Sequence, residues 1–349
     1  MKWLSILVAL VLVLCLVPLA YGAEVTGKFT IVKPPNVTEF NIYDAQEGGN
    51  VVVDMDPNRT YYARATVYSR NTLNTVQTVK VTLFYDVNGG SWDPNEVPTS
   101  GDLHDCAILT WDKTGGWSID AGGSTKWALV TDQCVVPNLS QQSGTWVFAF
   151  KVGNVARASV LNNDDWRGVA VATNTKGKSG DALNVTGKNM NFASEITVSY
   201  GQGNQVVWEV EPGLAFTDSD SQKTGIVTTY IANGPYNVPV WTTDWTGDVQ
   251  GDLAILDWSE EQPSGDNEFG LKAWVSPTLD DAIRVANEAN ADNVVVSPTE
   301  DPSKPGYPYA TDEDGEGSST NTLWLALSEN WTNESVEYTG DITFNLTNQ

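Results

Sequence analysis

Period-two alternation constrains this chain more than any other feature. Thr60–Ser69 reads TYYARATVYS, with Tyr61, Ala63, Ala65 and Val67 on one side and Tyr62, Arg64, Thr66 and Tyr68 on the other. Val76–Asp86 continues the pattern through Val79, Val81, Leu83 and Tyr85. Successive side chains of a strand point to opposite faces, so such runs bury one face and wet the other, as antiparallel sheets do. Similar runs span Asn50–Asp54, Thr145–Val152, Trp166–Asn174, Phe192–Tyr200, Val206–Val210, Gly225–Ala232, Tyr236–Trp241, Asp252–Trp258, Phe269–Val275, Thr322–Leu327 and Ser335–Leu346, separated by Asn, Gly, Asp and Pro. One segment departs from this. Thr278–Asp281 resembles a capping box with Asp in place of Glu, and Ala282, Ile283, Val285, Ala286 and Ala289 follow at helical spacing. The expected fold is therefore all-β, with two antiparallel β-sandwich domains of jelly-roll or immunoglobulin-like type in tandem and one short helix in the second.

The polar, Gly-containing stretch Tyr200–Asn204 marks the expected link, giving domains 23–200 and 201–349. A weak internal repeat fits this division. Asp54-Met-Asp56-Pro57 and Glu209-Val-Glu211-Pro212 each precede a strand that ends at Asn, at Asn71 and Asn233. Residues 1–22 read as a signal peptide: Lys2, a 17-residue apolar run from Leu4 to Ala20, then small residues Ala20 and Gly22 around a cleavage site. The alternative is a retained anchor, marginal in length for a bilayer. The mature chain is expected to be secreted, without a membrane span, at the cell surface or outside it.

Removing the leader removes Cys15 and leaves Cys106 and Cys134, an even pair in an oxidising compartment. A disulfide is expected, closing a loop of about 28 residues worth roughly 3 kcal/mol; two separate thiols are the alternative. Seven Asn-x-Ser/Thr sequons, at Asn36, Asn58, Asn138, Asn184, Asn330, Asn333 and Asn345, are candidate glycosylation sites in the same compartment.

Charge narrows the function. The chain has 44 acids, 19 bases and one His, a net charge of −25 and a pI near 4.1. This argues against a nucleic-acid partner, which needs clustered Lys and Arg. The acidity is uneven: residues 23–200 carry 18 acids and 14 bases, residues 201–349 carry 26 acids and 4 bases. A net −22 within one domain calls for salt or bound cations. Ca²⁺ is the candidate ion, held by loop carboxylates Asp218 and Asp220, or by Asp312, Asp314 and Glu316. Asp244, Asp248 and Asp252, and Asp86 with Asn88 and Asp93, are further clusters. Each can equally be a solvated acidic loop. No other cofactor is implied.

The lone His104 sits among Asp102, Asp105 and Cys106, a polar neighbourhood with no nucleophile signature. A carboxylate-based hydrolase needs only two acids, yet no local pattern selects a pair. The chain is read as non-enzymatic. The many Trp, including Trp208, Trp241, Trp245, Trp258 and Trp274, suit sandwich core, with a sugar-stacking platform as the second reading. Ala23–Val32 (AEVTGKFTIV) is strand-like and is followed by Lys33-Pro34-Pro35. A terminal strand ahead of a Pro-Pro hinge can be donated to a neighbour, or can fold into its own sheet.

Asp54–Asp86 (DMDPNRTYYARATVYSRNTLNTVQTVKVTLFYD) and Glu337–Phe344 (EYTGDITF) resemble secreted surface proteins of archaea. More distantly they resemble the camelysin-like biofilm-matrix fibre proteins of bacteria. In those families a strand, Pro-containing corner, strand, Asn-rich turn, strand order builds the sandwich, and a Tyr-x-Gly-x-Ile-x-Phe strand closes it. The resemblance implies a pilus, thread or sheath subunit that polymerises by strand donation, although two domains depart from the single-domain fibre subunits. The expectation is a structural subunit of an extracellular filament, sheath or surface layer. Its partner would be itself, through edge strands with residues 23–32 as donor segment. The alternatives are a module binding cell-surface polysaccharide and, third, the hydrolase.

Overall fold

A computed structural model describes residues 28, 31, 33–86, 96–159, 166–234, 236–259, 261–293 and 316–348. The expected signal peptide 1–22, the expected donor segment 23–32 (apart from residues 28 and 31) and the candidate calcium ligands Asp312 and Asp314 lie outside the described residues. Met1–Val32 and Lys33–Gln349 form separate units, and every strand belongs to the second.

Strands dominate. The first ten are β1 (Asn36–Tyr43), β2 (Asp54–Met55), β3 (Thr60–Tyr68), β4 (Val76–Tyr85), β5 (Cys106–Asp112), β6 (Gly116–Asp120), β7 (Ala128–Leu129), β8 (Ser143–Lys151), β9 (Trp166–Asn174) and β10 (Leu183–Met190). They form a four-stranded sheet, β1-β3-β8-β7, and a six-stranded sheet, β2-β10-β9-β4-β5-β6. All pairings are antiparallel except β2 with β10. The alternation read in β3 holds: Tyr61, Ala63, Ala65 and Val67 are all buried, while their neighbours are partly or fully exposed. Across the gap they meet Val79, Val81, Leu83 and Tyr85 of β4, and Trp146, Phe148 and Phe150 of β8 join the same core. Trp111 and Trp146 pack with ring centroids 5.3 Å apart. This is a sandwich core filled from two inner faces.

The remaining strands are β11 (Ser194–Ser199), β12 (Gln222–Ala232), β13 (Tyr236–Asn237), β14 (Val240–Thr242), β15 (Trp245–Gly247), β16 (Leu253–Leu256), β17 (Glu268–Trp274), β18 (Ile283–Arg284), β19 (Glu316–Leu327), β20 (Tyr338–Thr339), β21 (Ile342–Phe344) and β22 (Thr347–Asn348). One curled sheet runs β11-β12-β19-β17-β16-β15-β20, with β18 added to β17. Two short pairs, β13–β22 and β14–β21, lie apart from it. A second core gathers Ile226, Tyr230, Val240, Phe269, Leu271 and Leu323, among others.

Three details differ from the sequence reading. The helix expected after Thr278 is absent. Leu279–Asp281 makes a single 3₁₀ turn, with no side-chain cap from Thr278, and Ile283–Arg284 pairs with Lys272 and Ala273 of β17. Val285 N–H then donates to Leu271 O at 2.9 Å, and Ala286 O accepts from Thr242 N–H at 3.1 Å. Ile283 and Val285 are β-branched and also two apart, so the stretch serves a strand pairing as readily as a helix. Tyr200–Asn204 is a turn closed by Asn204 N–H to Tyr200 O, and β11 before it already pairs with β12. The first core ends at Met190, and Phe192 packs against the second. Val206–Val210 joins no strand ladder, although Val206, Trp208 and Val210 pack on the second core.

Asn233 joins the two cores. It is fully buried, and its Nδ2 donates to Ala156 O and Asn191 O, both at 2.9 Å. Its Oδ1 accepts from Ala193 N–H at 2.8 Å, and its backbone C=O accepts from Ala158 N–H at 2.8 Å.

Candidate functional site

The cysteines do not form the expected bridge. Cys106 and Cys134 are both free. Strand alternation is the reason: Ala107 and Leu109 of β5 face the sandwich core, so Cys106 and Ile108 face out, into a small cluster with Phe84 and Val169. Cys134 follows the 3₁₀ turn Thr131–Gln133 beside β8 of the other sheet, where its Sγ accepts from Ala149 N–H at 3.3 Å. Burial pushes the Cys106 thiol up to about 12 and also raises that of Cys134. A disulfide needs converging Cβ vectors, and the outward-facing Cys106 turns its side chain away from the core between the two sheets.

The sequons fall into two groups. Asn36, Asn58, Asn138 and Asn345 are exposed, and Asn138 holds its Oδ1 2.8 Å from the Ser140 hydroxyl of its own sequon. Asn184 lies partly buried in β10. Asn330 and Asn333 spend Nδ2, the atom that would carry a glycan, on Ser264 O and Leu253 O at 2.9 and 2.8 Å.

Of the candidate calcium ligands, Asp312 and Asp314 lie outside the described residues, and Glu316 opens β19. Asp218 Oδ2 accepts from Ala215 N–H at 2.7 Å, and Asp220 Oδ1 accepts from the Ser219 hydroxyl at 3.5 Å. Asp244, Asp248 and Asp252 also turn to backbone: Asp244 to Leu256 N–H, Asp248 to Val336 and Glu337, and Asp252 to Glu334 and Ser335. The N–H of Glu337 in particular holds the Asp248 carboxyl below its ordinary range. Among the described residues no group of three or more His, Cys, Asp or Glu could hold a metal ion. Asp86 pairs with Arg167 at 2.6 Å, both buried, and Asn88 and Asp93 lie outside the described residues. His104 places Nδ1 3.1 Å from Val155 O, while Asp102 Oδ1 accepts its backbone N–H.

Two surfaces remain as candidates. One is the edge strand β11, with alternation in which Ile196 and Val198 pack on the second core and Ser194, Glu195, Thr197 and Ser199 are exposed. It pairs with β12 in unbroken register from Ser194↔Ala232 to Ser199↔Val227, and its other side has no strand partner among the described residues. It carries no Pro, no Lys and no bulge, which are the usual protections of an edge. The other long edge, β1, has a register shift between Val37 and Glu39.

The second surface is a cleft of about 620 Å³ beside β11. Tyr200, Trp208, Trp245 and Tyr338 line it, with Asp244 and Asp341. The indoles are fixed. Trp208 Nε1 donates to Ser221 O at 2.7 Å and Trp245 Nε1 to Thr242 Oγ1 at 2.9 Å. Gly340 lies flat on Trp245, where a Cβ would come within 2.0 Å of the ring. Trp208 and Trp245 were legible as a possible aromatic platform. Tyr200, Tyr338 and Asp341 were not, because three distant segments bring them together; both tyrosines stand just ahead of a Gly turn, the one signal available. Trp241 sits in β14, Trp274 is partly buried in β17, and Trp258 is 39% exposed away from the cleft.

No protein-family model matches the sequence, and no curated protein matches it. Among solved structures the chain is similar to BcpA, the major pilin subunit of Bacillus cereus, at 10% identity and a TM-score of 0.21, over 64% of this chain and 63% of that one. The chain thus spans under two thirds of that pilin's length. So loose a superposition adds nothing to the fold, which rests on the strand registers. The archaeal and camelysin-like likenesses have no counterpart in these comparisons.

Proposed function

We propose that this chain is a secreted structural subunit that assembles with copies of itself into an extracellular filament, sheath or surface layer, and that it is not an enzyme. The observation carrying this reading is the β11 edge. Six residues lie in straight register, two of them, Ile196 and Val198, seated on the core, and the side of the strand away from β12 presents backbone donors and acceptors with no strand partner among the described residues. Each such group gains a partner when another strand is added, and main-chain hydrogen bonds then supply affinity while alternate side chains supply register. Residues 23–32 are the proposed donor. Val25, Phe29 and Ile31 fall on one face of an extended chain, with Glu24, Thr26, Lys28 and Thr30 on the other. The acidic second half repels its copies at low ionic strength, so assembly is expected to need salt or divalent cations.

Electron microscopy and sedimentation of the mature protein, across salt and with or without Ca²⁺, test the reading. Ordered polymers are expected, lost on deletion of residues 23–32 and on Ser194→Pro in β11, where the antiparallel register turns the N–H away from β12, with folding unchanged in both. A protein that stays monomeric under every condition refutes assembly. Polymers that survive both changes refute this donor and this edge.

A further inference from the structure

We propose that the cleft beside β11 binds a neutral oligosaccharide. This is a second function, independent of assembly. Volume sets the scale: about 620 Å³ lies within the range of small-molecule sites, roughly 300–1,000 Å³. Chemistry sets the class. None of the residues lining the cleft is Lys or Arg, and both charges present, Asp244 and Asp341, are negative. Phosphates, sulfated sugars and uronates would find no counter-charge and two repulsive ones. The lining instead mixes aromatic rings with neutral hydrogen-bonding side chains, among them Asn204, Gln205, Thr243 and Thr339.

A pyranose has a matching duality. Its C–H face is apolar and stacks on aromatic rings, and its hydroxyls point outward in the ring plane. An ionised carboxylate is an acceptor only, and it forms short, strong bonds with O–H donors. Asp244 uses Oδ1 for Leu256 N–H, which fixes the carboxylate in place. Asp341 is anchored through its backbone, whose C=O accepts from Thr242 Oγ1 at 2.7 Å, and the same hydroxyl accepts from Trp245 Nε1. One chain of hydrogen bonds therefore orients an aromatic wall and an acidic rim together. Preorganisation of this kind lowers the cost of binding.

Tyr338 adds ring surface to this wall, with its hydroxyl shielded from solvent. A cationic peptide is the competing ligand. It is disfavoured because Asp244 and Asp341 are both solvent-exposed, where an ion pair gains little.

The test titrates the full chain with neutral gluco-, manno- and galacto-configured oligosaccharides of three to six sugars, followed by calorimetry and tryptophan fluorescence. At least one configuration is expected to bind at a single saturable site and to shift the emission. Asp341→Asn and the double variant Asp244→Asn/Asp341→Asn should each weaken it, the double variant tenfold or more, without lowering the melting temperature. Absence of saturable binding by every sugar overturns the proposal. So does equal binding by the variants, and so does binding confined to a tetralysine peptide.

Discussion

Asn233→Ala tests how the two cores are held together. The substitution removes three side-chain hydrogen bonds of 2.8–2.9 Å from a fully buried position. The backbone bonds of residue 233 to Ala193 and Ala158 remain. Asn191 is exposed, so water can take over its carbonyl. Ala156 is fully buried, and the Ala193 N–H loses its acceptor beside it. Leaving a buried polar group unpaired costs about 1–3 kcal/mol, so two of them give about 2–6 kcal/mol, centred near 4. For chains of 150–250 residues 1 kcal/mol shifts the melting temperature by about 2–4 °C, and a larger chain falls at the low end, so a drop of about 8 °C is expected. Location matters as much as size. The lost bonds tie loop 153–159 and the end of β10 to the end of β12, with little of either core involved. Differential scanning calorimetry should therefore show one transition in the wild type resolving into two in the variant. A variant that melts within 2 °C of wild type as a single transition would refute this account of the seam.

Other expectations follow from single residues. Thr72 holds φ 82° and ψ 157°, a region that penalises a β-branched side chain. Thr72→Gly should raise stability by about 1 kcal/mol, read as a higher urea midpoint at unchanged m-value. Under denaturing, non-reducing conditions Cys106 and Cys134 should both react with a thiol reagent, and in the native protein at pH 8 Cys106 should be the slower; a Cys106–Cys134 peptide pair in a non-reducing digest would contradict the placement of the sheets. Asp56, held low chiefly by the Asn191 amide, and Asp112, held low chiefly by the Thr114 hydroxyl, join Asp248 in having folded pKa values below their unfolded ones. Their contribution is complete above the unfolded value near pH 4 and lost as pH falls through the folded values, so melting temperature should fall steadily below about pH 4. Asp105, pushed up by burial despite Arg157 at 2.7 Å, runs the opposite way, and Asp105→Asn should steepen that acid loss.

What the sequence made legible depends on where alternation survives. β3 has one face in and one face out, and β4, β8 and β9, buried on both faces over part of their length, are runs of nine or ten residues rich in β-branched and aromatic side chains; all four were found within a residue or two. β5 was missed because Cys106 and Ile108 are buried as well as Ala107, Leu109 and Trp111. A strand covered on both faces reads CAILTWD, with no period to detect. β1 was missed for another reason: its register shift moves the inward positions from Val37 to Phe40 and Ile42, breaking the phase. In β10 the inward Lys188 disguises the pattern; it is buried, its pKa is lowered by that burial, and its ammonium meets the Val52 carbonyl. Val206–Val210 errs in the other direction. Its side chains alternate as a strand's do, yet its backbone has no ladder to join.

The acidic half poses the remaining question, because its charge looked like a demand for metal. The carboxylates answer much of it by accepting hydrogen bonds from loop backbone. Asp218, Asp244, Asp248, Asp252, Asp257 and Glu268 each accept at least one backbone N–H at 3.0 Å or less. The connections they serve join short strands, whose ends leave many N–H groups without a ladder partner, and an ionised acceptor satisfies such a donor more strongly than a neutral one. The few bases are concentrated elsewhere: Lys272 and Arg284 both go to Glu261, at 2.7 and 2.6 Å. Acid richness in this half is thus partly the substitute for secondary structure around its short strands, β13–β16, β18 and β20–β22, of two to four residues each. Under the proposed assembly, the self-repulsion that it leaves behind would act between copies, where ambient ions would decide whether subunits meet.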